Sequence, residues 1–161
     1  MCIRDSMRMR QGNYLLQNFA LFVDLGEGRD PWEEVCALYD CYREELEKNA
    51  DIIAPVYRYA DIEANERAGK LSAMLTVEEG AVCKGEPAKL EALYEMGVRM
   101  VTLTWNFPNE LGSPNLSREF EGEARKHTPN LKDGLTERGR EFVEEMERMG
   151  MIPDVSHLSD A

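Results

Sequence analysis

The sequence predicts an α/β fold of parallel strands, and three observations carry that prediction. A helical pattern closed by a glycine and followed at once by a β-type run recurs three times between residues 62 and 155. The apolar run at residues 18–23, Asn-Phe-Ala-Leu-Phe-Val, does not alternate with polar residues, as suits a strand covered on both faces. Polar residues capable of chemistry stand just past the β-type runs, and parallel α/β folds put their sites at the carboxyl ends of strands.

Taken in chain order, Met1-Cys2-Ile3-Arg4-Asp5-Ser6 shows no periodicity. Residues 1–9 are therefore set apart as a non-native or disordered leader, and residues 10–161 are read as one domain. After the strand at 18–23 and a loop at 24–28, Asp30 is a helix N-cap, with Pro31 in the first helical position and Glu33 three residues on. Val35, Leu38, Tyr39, Tyr42 and Leu46 continue at helical spacing to about Lys48. The first repeat runs from Ile62 to Ala68, turns at Gly69 and enters a strand at 71–77. In the second, Pro87 opens a helix, Gly97 closes it and a strand follows at 98–104. The third has Thr136 as its cap, Gly150 as its stop and a strand at 151–155. A glycine at such a stop adopts positive φ without steric cost. Residues 106–134 are rich in Asn, Pro and Gly, and a loop of that length is commonly a lid or binding loop.

Length and charge narrow the function. An apolar content of 43% in 161 residues supports one core, but a complete eightfold barrel takes about 250 residues, so any barrel here is incomplete and leaves a sheet edge open. The net charge of −12 argues against nucleic acid and anionic lipid as partners. No apolar run approaches the roughly 18 residues of a membrane span, so no membrane association is indicated and a cytoplasmic location is expected. Cys2, Cys36, Cys41 and Cys83 lack Cys-x-x-Cys spacing and read as free, mostly buried thiols; Cys36 and Cys41 fall on different faces of one helix.

Five strand-end residues are candidates for a site. Glu78 and Glu79 follow an apolar strand and precede Gly80; either carboxylate can ligate a metal or act as a base, or cap the next helix or lie in solvent. Trp105 suits a core position or a substrate wall equally, and Asn106 beside it offers a polar contact. His157 suits a zinc ligand oriented by Asp154, or an ordinary structural histidine. His127 reads as exposed loop. Glu141, Glu144, Glu145 and Glu147 read as a solvated helix face, and Met96, Met146 and Met149 as core filling near helix ends.

Three stretches together resemble the membrane (renal-type) dipeptidase family of amidohydrolase-like zinc metallopeptidases. They are Gly69-Lys70 through Thr76-Val77-Glu78-Glu79-Gly80, Leu93-Tyr94-Glu95-Met96-Gly97-Val98-Arg99 through Thr102-Leu103-Thr104-Trp105-Asn106, and Gly134-Leu135-Thr136 through Gly139-Arg140 to Asp154-Val155-Ser156-His157-Leu158-Ser159-Asp160. The resemblance implies a partial TIM-type (β/α)8 barrel, incomplete at both ends, over residues 10–161. It also implies two zinc ions in the parent enzyme and a small dipeptide substrate, and a homodimer of the parent is left open. Glu78 matches the glutamate that bridges the two zinc ions and His157 a histidine ligand of the second, with Trp105 and Asn106 bordering the substrate. If so, the heads of Glu78 and His157 lie within roughly 8 Å of each other.

The chain departs from the family pattern in three ways. No His-x-Asp occurs in it, the later histidine and aspartate are expected beyond Ala161, and Trp105 stands where better-known members have histidine. The 161-residue piece is therefore expected to be inactive by itself. Two other readings stay open: a non-catalytic or binding barrel domain, and another metal-dependent hydrolase of the amidohydrolase type.

Overall fold

In the computed structural model, which describes residues 4–116 and 129–161, every pairing between strands is parallel. The described elements are α1 (Arg4–Gln11), β1 (Leu16–Phe22), α2 (Pro31–Lys48), β2 (Ile53–Pro55), α3 (Tyr59–Arg67), β3 (Leu71–Glu78), α4 (Pro87–Glu95), β4 (Val98–Thr102), α5 (Glu137–Met149) and β5 (Ile152–Asp154). The strand order is β1-β3-β4-β5, and the short β2 pairs with the start of β3. Helices connect the parallel strands, which is the partial-barrel architecture expected. Among the described residues β1 and β5 each pair on one side only, so the open sheet edges are there too.

The local signals explain most of these elements. Asp30 caps α2 by accepting hydrogen bonds from the backbone N–H groups of Trp32 (3.0 Å) and Glu33 (3.1 Å). Thr136 caps α5 through Gly139 N–H at 2.9 Å, and Gly150, at φ 74°, ends it. Phe19 and Leu21 of β1 and Leu71, Ala73, Leu75 and Val77 of β3 are buried; the Phe19 ring lies 6.1 Å from that of Tyr42 on α2. Phe142 and Met146 of α5 complete this core, whereas Glu141, Glu144 and Glu147 on the same helix are exposed. Met96 and Met149 pack against the core as partly buried side chains.

On the other face of the sheet, the register places Phe22 opposite Glu78, Glu78 opposite Thr102 and Thr102 opposite Asp154. Register partners in neighbouring strands sit about 4.8 Å apart and point to the same side. Phe22, Glu78, Thr102 and Asp154 therefore form one lateral row at the carboxyl ends of four strands.

Several boundaries differ from the sequence reading. The first strand begins at Leu16 and ends at Phe22, because Leu16 already pairs with Ser72. β4 stops at Thr102 rather than 104, where the chain turns under the side chain of Asn109, and β5 is only Ile152–Asp154. β2 is absent from the sequence reading: it is three residues long and contains proline. Residues 4–11 form α1, and Met9 packs against the core. Of the described thiols, which are free, Cys83 is buried, Cys36 half-buried and Cys41 exposed, so the mostly buried reading holds for Cys83 alone. The flanks of the long 106–134 loop are not structureless. Residues 109–116 form a strap whose Ser113 N–H donates to Gly134 O (3.1 Å) and whose Asn115 N–H donates to His157 O (2.9 Å).

Gly139 sits inside α5 where a Cβ would come within 2.0 Å of Leu111 O, a main-chain atom of that strap. Replacing glycine by alanine in a free helix gains about 1 kcal/mol, but the overlap forces a backbone shift that costs about 1–3 kcal/mol or more. The clash wins, so Gly139→Ala lowers stability. A urea unfolding curve with an unchanged or raised midpoint would contradict this packing.

Candidate active site

The two glutamates that follow one another in the chain go to opposite environments. Glu78, the last residue of β3, turns to the open face with 28% of its side chain exposed. Glu79, still extended at φ −154° and ψ 133°, turns inward and is fully buried. This is the alternation of a pleated strand. Gly80 then lets the chain pass so close to β4 that a Cβ would lie 2.6 Å from Leu103 O.

His157 reaches the same place as Glu78 from two strands away. Its Nε2 lies 3.8 Å from Glu78 Oε1, well inside the 8 Å expected of a shared site, with the imidazole 44% exposed. Its main chain is presented by a tight turn built on Asp154, whose carboxylate accepts from Ser156 N–H (2.9 Å), Ser156 O–H (3.2 Å) and Thr102 O–H (2.7 Å). Partial burial works to raise the Asp154 carboxyl, but the bonds from Thr102 and Ser156 outweigh it and hold it below the usual carboxylate range. Asp154 thus steadies the turn rather than bonding the second ring nitrogen, which corrects the expectation of a direct Asp–His contact.

Trp105 is half-buried and packs its ring edge-to-face on Phe22, with centroids 4.7 Å apart at 89°. Phe22 stands directly across from Glu78, so Trp105 comes to the same mouth. Asn106 is half-buried, and among the described residues no hydrogen bond ties it to Glu78 or His157. His127 lies outside the described residues, as does the middle of the loop read as a lid.

Two residues of this end of the sheet, and the role of a third, escaped the sequence reading. Phe22 is one; its position in an apolar run hid its exposure. Asn109 is another: its amide donates to Leu103 O (2.8 Å) and to Glu79, while its carbonyl accepts from Leu111 N–H (2.7 Å) and Gly112 N–H (3.2 Å). Glu79 was weighed only alongside Glu78. Its carboxylate accepts from Ala81 N–H (3.2 Å), Trp105 N–H (3.0 Å) and the Asn109 amide, tying the β3 end to the β4 end. The Glu-Glu-Gly sequence held the signal, since only one of two adjacent strand-end carboxylates can face the mouth.

A zinc ion held by imidazole and carboxylate has donors about 2.1 Å away, so two tetrahedral donors sit about 3.4 Å apart. The 3.8 Å between His157 Nε2 and Glu78 Oε1 fits that spacing. Among the described residues, however, no group of three or more His, Cys, Asp or Glu side chains is placed to hold a metal. This segment therefore offers two donors of suitable type.

Burial pushes the Glu79 carboxyl from the ordinary 4.5 up to about 7, against the pull of its three N–H donors. A folded pKa above the unfolded one adds stability that is complete below pH ~4.5 and is lost as pH rises to ~7, about 3 kcal/mol in all. Glu79→Gln cannot titrate, and its amide N–H groups face the Trp105 N–H. Unfolding free energies measured from pH 4.5 to 8 should fall for the natural chain and stay flat for the variant. At the acid end the variant should be weaker by about 1–3 kcal/mol. Parallel curves would remove Glu79 as the titrating group.

Comparison with known proteins agrees with this fold. The family model described as membrane dipeptidase, peptidase family M19, matches residues 3–161. Dipeptidase aclJ of Aspergillus oryzae is 27% identical over 168 residues, covering 96% of this chain and 36% of the relative. The crystal structure of an amidohydrolase from Pseudomonas aeruginosa superposes with a TM-score of 0.81 at 22% identity, covering 99% of this chain and 44% of that one. A metallo peptidase from Rhodobacter sphaeroides, solved with a phosphinate mimic of the dipeptide L-Ala-D-Ala, superposes with a TM-score of 0.73 at 19% identity, covering 96% and 49%. The chain thus spans about a third of its curated relative and under half of each solved structure. With parallel strands, a carboxylate and an imidazole meeting at their carboxyl ends, and a family match along nearly its whole length, the chain belongs to the membrane dipeptidase family of metallopeptidases.

Proposed function

We propose that the protein carrying this segment hydrolyses dipeptides with two zinc ions, and that Glu78 bridges the ions while His157 ligates the second. The observation that carries the reading is the approach of Glu78 Oε1 to His157 Nε2 from β3 and from the turn after β5. Bound zinc supplies Lewis-acid polarisation of the scissile carbonyl and a more acidic water. The residues present here have simpler tasks. Glu78 offers a carboxylate with two oxygens at the mouth, and the Asp154 turn holds the His157 ring beside it. Glu79 fixes the Trp105 main chain through its N–H, so the indole borders the space in front of Glu78. Asn106, next in the chain, is assigned to polar contact with substrate. The small-peptide substrate class is supported by the family match and by the Rhodobacter relative, whose ligand mimics a dipeptide.

In the full-length protein, His157→Ala or Glu78→Gln should weaken zinc binding by more than the about 10–100-fold that loss of a supporting residue costs. Competition with a chromophoric chelator reads this directly, and unchanged affinity in both variants would remove the assignment. The 161-residue chain alone should show no more than trace dipeptidase activity with added zinc, because two donors cannot enforce a dinuclear site. Brisk turnover by the purified piece, abolished by chelator, would contradict this.

A further inference from the structure

The row at the carboxyl ends of the strands contains one member that neither ligates nor bonds. Phe22 stands across from Glu78 in register, and its side chain faces the open side of the sheet with 40% of the residue exposed. A phenylalanine that could be buried by one residue's slip, as Phe19 and Leu21 are, is instead held at the mouth by the strand's alternation. Its ring is fixed there by the edge-to-face contact with Trp105 at 4.7 Å. The main chain of Trp105 is anchored in turn, because its backbone N–H donates to the buried carboxylate of Glu79 at 3.0 Å. The result is a stiff aromatic corner beside the Glu78–His157 pair, apolar on the side away from Asp154 and Thr102. Binding sites combine such apolar walls with few polar groups, and each wall selects the ligand part it can cover.

We infer that Phe22, backed by Trp105, is a specificity-determining residue that receives a large apolar or aromatic side chain of the dipeptide, favouring such substrates over those bearing only methyl groups. The inference rests on the proposed dipeptidase function, since it names the substrate class of that same site. The row gives the wall its side: the polar Thr102 and Asp154 lie on one flank of Glu78 and Phe22 on the other. A peptide oriented by its scissile bond at Glu78 and His157 would therefore meet aromatic surface on the β1 flank.

The test uses the full-length protein with Ala-Ala, Phe-Ala and Ala-Phe as substrates. Natural enzyme should prefer at least one of the two aromatic dipeptides over Ala-Ala in kcat/KM. Phe22→Ala should lower that preference about tenfold, the scale on which an apolar pocket discriminates side chains, and Phe22→Leu should restore part of it. Equal preference in the natural enzyme, or a preference untouched by Phe22→Ala, overturns the inference. Binding gives a second readout that needs no turnover. In a Trp32→Phe background Trp105 is the remaining tryptophan of these 161 residues, and the part of the fluorescence that Trp105→Phe removes should respond at lower concentration of the aromatic dipeptide than of Ala-Ala, with the gap closed by Phe22→Ala. Discriminating binding without hydrolysis would remove the dipeptidase reading and leave the wall. Hydrolysis without discrimination would remove the wall and leave the dipeptidase.

Discussion

Side chains of an extended strand alternate between its two faces, and most of the site follows from that constraint at one position, the end of β3. Glu78 and Glu79 cannot share surroundings, so one becomes a carboxylate at the mouth and the other a carboxylate in the core. A lone buried charge would be very costly, and the fold answers with three N–H donors aimed at it. Those donors belong to the turn after β3, to Trp105 and to Asn109. The desolvated carboxylate thereby anchors the main chain at Trp105 and the start of the strap that runs on to His157.

The parts of the fold written in local chemistry were legible in the sequence. Asp30 with Pro31, Thr136 with Gly150, and the apolar faces of α2 and α5 need only neighbouring residues to act, and each does what its pattern says. The short β2 was hidden, since three residues including proline give no periodicity and form a strand only because β3 offers its edge. At the site, Glu78 and His157 were readable as strand-end polar residues, and their approach to 3.8 Å bears out their expected nearness. Phe22 was not, because an apolar run shows which residues avoid water but not which face an unfilled space. Asn109 and Glu79 were hidden for a related reason: their roles are hydrogen bonds across 26 and 30 residues of chain, set by tertiary structure alone.

The membership of the family and the geometry of the mouth also limit each other usefully. Two donors of zinc-binding type meet here, on strands whose order is that of a barrel segment. The position after Thr102-Leu103-Thr104 holds an indole rather than an imidazole, and that indole is built into the aromatic corner instead of pointing alone into the site. The indole at this position packs on a neighbour supplied by β1.

The order of pairing along the chain has a consequence for how the mouth comes into being. β3 and β4 are joined by one short helix, whereas Leu16 must wait for Ser72 and Met100 for Ile152. Contacts that close long stretches of chain are entropically delayed relative to short ones. The β3–β4 pairing therefore carries the smallest loop-closure cost of the three that build the row, and the pairings that bring Phe22 and His157 carry larger ones. The aromatic and imidazole neighbours of Glu78 thus depend on the two costliest closures, and loosening either flank of the sheet would open the mouth while leaving the β3–β4 pair intact.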